Sequence, residues 1–247
     1  MWDMPKIWIF RGLKKGILTT AYPKSQPTSE EVPTASLPPR PTDAVDWSAG
    51  ERGCPTGAID SGGKRVDLGR CVYCRLCSSA GFTFDDGSGS RAGALQAGLT
   101  GRHAAGARRI FGRSLHVMMI DVGSCNACNL EVLNLSNPYY DLSRLGIAFT
   151  NSPKHADALI VVGALNPAMV DALKMTYESI PEPKLVLSVG ACAISGGIFR
   201  SAEGFVSPVG DAIPVDVVVP GCPPSPVQIL EGLLLAAGRL KETGAMR

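Results

Sequence analysis

Four apolar runs in the second half of the chain, Leu115–Ile120, Ala158–Val162, Lys184–Val189 and Val215–Val219, are continuous rather than alternating. A strand that reads this way is buried on both faces, as in a parallel sheet covered by helices on each side. Helix signals fall between the runs. Asn166-Pro167 pairs an N-cap with proline at the first helical position, ahead of a helical stretch to Ile180. Ser225 to Gln228 forms a capping box that opens ILEGLLLAAGRL. Strands alternating with helices predict an α/β fold built on an open parallel sheet over residues 114–247.

Three of the four runs lead into a cysteine. The first continues as IDVGSCNACNLE with Cys125 and Cys128, the third reaches Gly190-Ala-Cys192, and the fourth reaches Pro220-Gly-Cys222. All strand ends of an open parallel sheet lie on one edge, where such folds bind ligands, so these four thiols are expected to converge. Gly123, Gly190, Gly196, Gly197 and Gly221 beside them permit tight turns and close backbone approach. Structural zinc usually takes two compact cysteine pairs. One pair joined by two distant single cysteines suits a [4Fe–4S] cube better, because its irons are spread apart. A thioredoxin-like redox pair is poorer still, since it leaves Cys192 and Cys222 idle.

The other four cysteines, Cys54, Cys71, Cys74 and Cys77, lie in CPTGAIDSGGKRVDLGRCVYCRLC. Bacterial ferredoxins use C-x2-C-x2-C-x3-C-P, in which the cysteine before proline ligates the other cluster. Cys54-Pro55 reads as the tail of one such motif, and Cys71, Cys74 and Cys77 as the head of a second. Under that crossed rule the remnants are the full ligand set of one cluster and none of the other. The alternative is a degenerate motif that holds nothing. Two [4Fe–4S] clusters are therefore expected in all.

The motifs GSCNACNLE, SPKHADALIVVGALN, SVGACAISGGIFR and VVPGCPPSPVQILEGL resemble the small subunit of [NiFe]-hydrogenases. The closer likeness is to the energy-converting group 4 type of formate hydrogenlyase and to the B-type subunit of complex I. The spacing Cys125-Asn-Ala-Cys128 is similar to that of the hydrogenases, whereas complex I subunits carry adjacent cysteines there. Residues 1–86, with their RGLKKGILTTAYP start, resemble the polyferredoxin-type subunit of the same complexes. Two departures stand out, since both subunits are fused and the ferredoxin half keeps one cluster.

That resemblance implies a flavodoxin-like sheet with a small ferredoxin-like domain, and an electron-relay subunit of an oxidoreductase that makes and breaks no substrate bonds itself. The second cysteine set would hold the cluster proximal to a nickel–iron centre in a separate large subunit. The first would exchange electrons with a ferredoxin or other carrier. Membrane-arm subunits are the further partners implied, with the chain peripheral on the cytoplasmic face. The alternative is the equivalent subunit of a complex I-like quinone or ion-translocating oxidoreductase without nickel–iron. A zinc-stabilised scaffold is the reading from another class.

The rest of the chain is read as follows. Residues 1–45 are an extended arm, whose basic and aromatic start suits a membrane surface or a partner subunit as well as a plain arm. Residues 46–86 form the ferredoxin-like unit and 87–113 a linker, made basic by Arg102, His103, Arg108, Arg109 and Arg113. A net charge of +2 argues against a nucleic-acid partner, and no apolar run reaches the length of a membrane span. Eight cysteines without a secretory signal favour metal ligation over disulfides. Glu131 is expected to cap the following helix rather than relay protons, Asp121 carries the same two readings, and His155 is expected to make a packing or hydrogen-bonding contact.

Overall fold

The computed structural model describes residues 8–25, 27–28, 31, 37–84, 98–99, 110–200 and 208–240. It opens with α1 (Trp8–Lys15), which ends on Lys14 and Lys15, cations placed where the helix dipole favours them. The arm beyond it turns onto the body of the protein. Thr20 N–H donates to Tyr139 O at 2.8 Å, and Arg144 Nη2 donates to Thr20 O at 3.2 Å and Tyr22 O at 3.1 Å. Tyr22 and Leu37, 6% and 2% exposed, join the apolar core under the main sheet. The described part of the arm thus packs into this core.

Next come β1 (Arg40–Pro41), α2 (Trp47–Gly53), β2 (Ile59–Asp60), β3 (Arg65–Val66) and β4 (Phe82–Thr83). β1 pairs with β4 and β2 with β3, both antiparallel. Asp46 caps α2 by accepting from Ala49 N–H at 2.9 Å. The apolar centre is Ile59, Ala80 and Phe82, with Trp47 edge-on to Phe82 at 5.3 Å. So small a centre needs support beyond apolar burial.

The remaining elements are β5 (Gly98–Leu99), β6 (Leu115–Asp121), α3 (Ala127–Asn134), β7 (Ile147–Phe149), β8 (Ala158–Val162), α4 (Val170–Ser179), β9 (Leu185–Val189), α5 (Ala191–Ser195), β10 (Val217–Val219) and α6 (Pro226–Ala236). The six strands run in the order β5-β10-β9-β8-β6-β7. All neighbours are parallel except β5, which lies antiparallel on β10. This is the open parallel α/β sheet that the apolar runs predict. β5 falls in the stretch read as a linker, whose Arg102, His103, Arg108 and Arg109 lie outside the described residues.

Two strands begin later than their apolar runs, for side-chain reasons. Lys184 gives its ammonium to Tyr177 O at 2.8 Å and Ile180 O at 3.1 Å, closing the end of α4. Asp216 accepts from Val186 N–H through Oδ2 at 2.8 Å, so a carboxylate stands in for a ladder carbonyl. Both expected helix starts are present. Asn166 Oδ1 accepts from Ala168 N–H at 2.9 Å, and Gln228 Oε1 accepts from Ser225 N–H at 2.7 Å.

The sheet separates two apolar layers. One gathers Leu115, Val117, Ile160 and Leu187 with Val132 of α3 and the leucines of α6. The other gathers Leu159, Val161 and Val186 with Leu173 of α4 and Ala193 of α5. Every residue of α6 is buried, as expected of a helix apolar nearly all round. After α6, Arg239 donates to Phe111 O from Nη2 at 2.6 Å and from Nε at 3.1 Å, and Nη1 donates to Leu145 O.

Candidate metal centres

β6, β9 and β10 end at Asp121, Val189 and Val219, so Cys125, Cys128, Cys192 and Cys222 all follow on the same sheet edge. Cys128 sits in the first turn of α3 and Cys192 in that of α5. The Cys192 and Cys222 turns are stitched together, with Gly190 N–H donating to Val219 O and Ala191 N–H to Gly221 O, both at 2.9 Å. Burial first, then Cys222, Cys192 and Cys125, push the Cys128 thiol up to about 12. Burial followed by Cys222 and Cys125 pushes Cys192 to about 11. Each thiol thus stands within electrostatic reach of the others. Bare thiolates there would repel one another, and either protonation or a cationic core relieves that.

The backbone leaves room for such a core. Gly190 has a φ of +89°, and a Cβ on it would stand 2.6 Å from Cys128 Sγ. Only glycine lets the chain run this close beneath the sulfur. Cys125 and Cys222 are exposed while Cys128 is buried, so one side of the site opens outward. Leu130 and Leu133 of α3, 54% and 55% exposed, lie beside that opening in sequence.

The first set converges as well. Cys54, Cys71, Cys74 and Cys77 line one pocket, with Ile59 and Phe84 among its walls. Burial first, then Cys77, Cys54 and Cys74, push Cys71 up to about 12. Burial also acts to raise Cys54, but hydrogen bonds around its sulfur outweigh it and leave the thiol lowered. One of them comes from Ala58 N–H at 3.2 Å.

Both motifs turn on a left-handed residue placed between cysteines. Tyr73 has φ +56° and Asn126 φ +71°, conformations uncommon outside glycine. At the first motif the Tyr73 backbone hydrogen-bonds the Cys71 sulfur and works against its rise. Among the described residues, no three His, Cys, Asp or Glu side chains gather closely enough to hold a single metal ion.

Asp121 organises the Cys125 turn. Oδ1 accepts from Gly123 N–H at 2.9 Å and Ser124 N–H at 2.8 Å, and Oδ2 from Ser124 Oγ at 2.8 Å. Glu131 does not cap α3, contrary to expectation. It lies within the helix and accepts from Asn134 Nδ2 at 3.4 Å. His155 closes a short turn that starts at Pro153, and His116 Nδ1 lies 3.2 Å from Asp157 Oδ2. Sequence patterns gave no sign of Gly69, Tyr73, Asn129 or Ser195, which the fold brings to these sites.

Fold and thiols together define a cysteine-edged α/β subunit of the redox-protein class. Residues 125–236 match the family described as the 20 kDa subunit of NADH ubiquinone oxidoreductase. The chain is 41% identical over 132 residues to the "probable membrane-bound hydrogenase subunit mbhJ" of Pyrococcus furiosus, covering 53% of this chain and 79% of that one. It is 40% identical over 130 residues to formate hydrogenlyase subunit 7 of Escherichia coli, covering 53% of this chain and 51% of the relative. A solved chain from the membrane-bound sulfane sulfur reductase, an archaeal respiratory membrane complex, aligns with a TM-score of 0.47 at 32% identity, over 56% of this chain and 75% of that chain. The chain belongs to this family of complex I 20 kDa and hydrogenase small subunits. It is accordingly a subunit of an oxidoreductase, as its motifs imply.

Proposed function

We propose that this chain is the electron-relay iron–sulfur subunit of a membrane-associated [NiFe]-hydrogenase complex. Cys125, Cys128, Cys192 and Cys222 would hold one [4Fe–4S] cluster, and Cys54, Cys71, Cys74 and Cys77 a second. Such clusters, when bound, supply reversible one-electron storage at a potential tuned by burial and hydrogen bonds. The observation that carries the reading is the mutual approach of four thiols at each of two places. One C-x-x-C pair joined by two distant single cysteines at the sheet edge supports a multi-iron core over a lone zinc ion.

The chain's own residues bury the thiols, hold them apart by turns, and keep one edge open. The partner at the Cys125 edge would be a nickel–iron large subunit, with membrane-arm subunits nearby and a ferredoxin or other carrier at the first set. No described helix is long and apolar enough to cross a membrane, which suits peripheral attachment at the cytoplasmic face. Residues 46–86 would act as a ferredoxin-like unit, joined by residues 87–113 to the small-subunit-like body at 114–247, with 1–45 as the arm. The family description itself favours a second reading, a complex I-like subunit beside a large partner without nickel–iron.

Anaerobic purification tests the proposal. A brown protein with about eight irons per chain fits two cubes, and a colourless zinc protein ends the reading. Cys222→Ser should remove the sheet-edge signal and hydrogen turnover while the signal of the first set stays. The sequence of the co-purifying large subunit separates the two readings, since two C-x-x-C pairs for nickel–iron support the hydrogenase.

A further inference from the structure

The segments that carry the two thiol sets touch. Burial first, then Cys125 and, from the other set, Cys74 raise the Cys222 thiol. The Tyr73 ring, 8% exposed, lies within reach of both Cys71 and Cys222. What fixes this meeting lies a few residues away. Ser195, the last residue of α5, donates from Oγ to Gly69 O at 2.9 Å, across 126 positions of sequence. Gly69 also packs so closely on the neighbouring residue that a Cβ there would stand 2.8 Å from Ile194 Cγ2. That methyl is fixed to a β-branched carbon with a stiff χ1 and cannot swing away. Asp67 Oδ1 accepts from Gly69 N–H at 3.0 Å, and its Oδ2 lies 3.2 Å from Arg70 Nε. The strip 67–70 is thereby folded into a turn that offers its carbonyl to α5.

We propose that Gly69 and Ser195 form a positioning joint that sets the separation of the two thiol sets, and with it the ease of electron passage between the groups they hold. The inference rests on the iron–sulfur reading above and assigns roles to residues outside both ligand sets. α5 carries Cys192, and the strip 67–70 runs directly into Cys71, so a slip at the joint reaches both sets. The Ser195 hydroxyl has one proton and a second acceptor, Ala191 O, at 3.0 Å, while Gly197 N–H donates to it at 3.3 Å. The two carbonyls share that proton, so the bond to Gly69 biases register, and the bare contact of Gly69 on Ile194 fixes distance.

The test uses the full chain, loaded anaerobically and reduced. The readouts are the magnetic interaction between the two reduced clusters, seen as splitting or broadening in electron paramagnetic resonance, and the rate of electron passage between them. Gly69→Val should keep about eight irons per chain yet lose the interaction and slow the passage. Ser195→Ala should show a smaller loss in the same direction, and Ser195→Thr, which restores the hydroxyl, should recover it. A wild-type interaction and rate in Gly69→Val with both clusters present would overturn the joint, as would equal losses in the alanine and threonine variants. Should valine cost a cluster, Gly69→Ala and Ser195→Ala carry the same two readouts. A wild-type chain that binds zinc or no iron sinks the iron–sulfur reading itself, and metal analysis alone reveals that.

Discussion

Asn129 donates from Nδ2 to Asp121 Oδ2 at 2.6 Å and ties the first full turn of α3 to the end of β6. Asp121 is thereby the hub of the Cys125 turn. Burial acts to raise its carboxyl, but donation from Gly123, Asn129 and Ser124 outweighs it and holds the group below its usual 3.8. A carboxylate lowered in the folded state contributes stability above its ordinary value, and the contribution fades as pH falls through the lowered one. Asp121→Ala should cost about 1–2 kcal/mol near neutrality, a modest figure because the side chain is largely exposed. Calorimetry against pH checks this, with the gap between variant and parent closing in acid.

Gly190→Ala strikes the sheet-edge site without replacing a ligand. The new Cβ meets Cys128 Sγ in a backbone conformation that alanine resists. Iron should fall from about eight to about four per chain, and the spectrum that remains should be that of the Cys54, Cys71, Cys74 and Cys77 set.

Leu130 and Leu133 are large apolar side chains left exposed on the helix that starts at the Cys125 turn. Exposed apolar surface beside a site marks a contact face. Replacing both with aspartate should abolish co-purification of the large subunit while iron content holds. A pull-down from the native membrane fraction, read with metal analysis, checks both halves.

Arg239 serves as a control remote from the thiols. Its guanidinium satisfies Phe111 O and Leu145 O, and charge-assisted bonds of this kind leave bare carbonyls when removed. Arg239→Ala should destabilise the chain by about 2–4 kcal/mol. Urea unfolding measures the loss, and cluster spectra of the folded fraction should not move.

The central strands were legible because each is an unbroken apolar run, and the two helix caps because their residue types are specific. β7 escaped notice since three residues, Ile147–Phe149, carry no pattern that separates them from a loop. β5 is shorter still. Late strand starts at Leu185 and Val217 follow from what Lys184 and Asp216 do with their side chains, which no periodicity reveals. The convergence of Cys128 with Cys192 and Cys222 could be read from strand order alone. The joint of Gly69 with Ser195 could not, because a glycine and a serine far apart in sequence leave no mark until the chain has folded. Glu131 was misread for a similar reason: the residue that precedes α3 is Asn126, in a left-handed turn that the cysteine motif conceals.

Tyr22 and Leu37 have a consequence for how the polypeptide is made. They emerge from the ribosome well before the leucines of α6, which share their apolar cluster. That stretch of arm must therefore wait for its seat until α6 has been made.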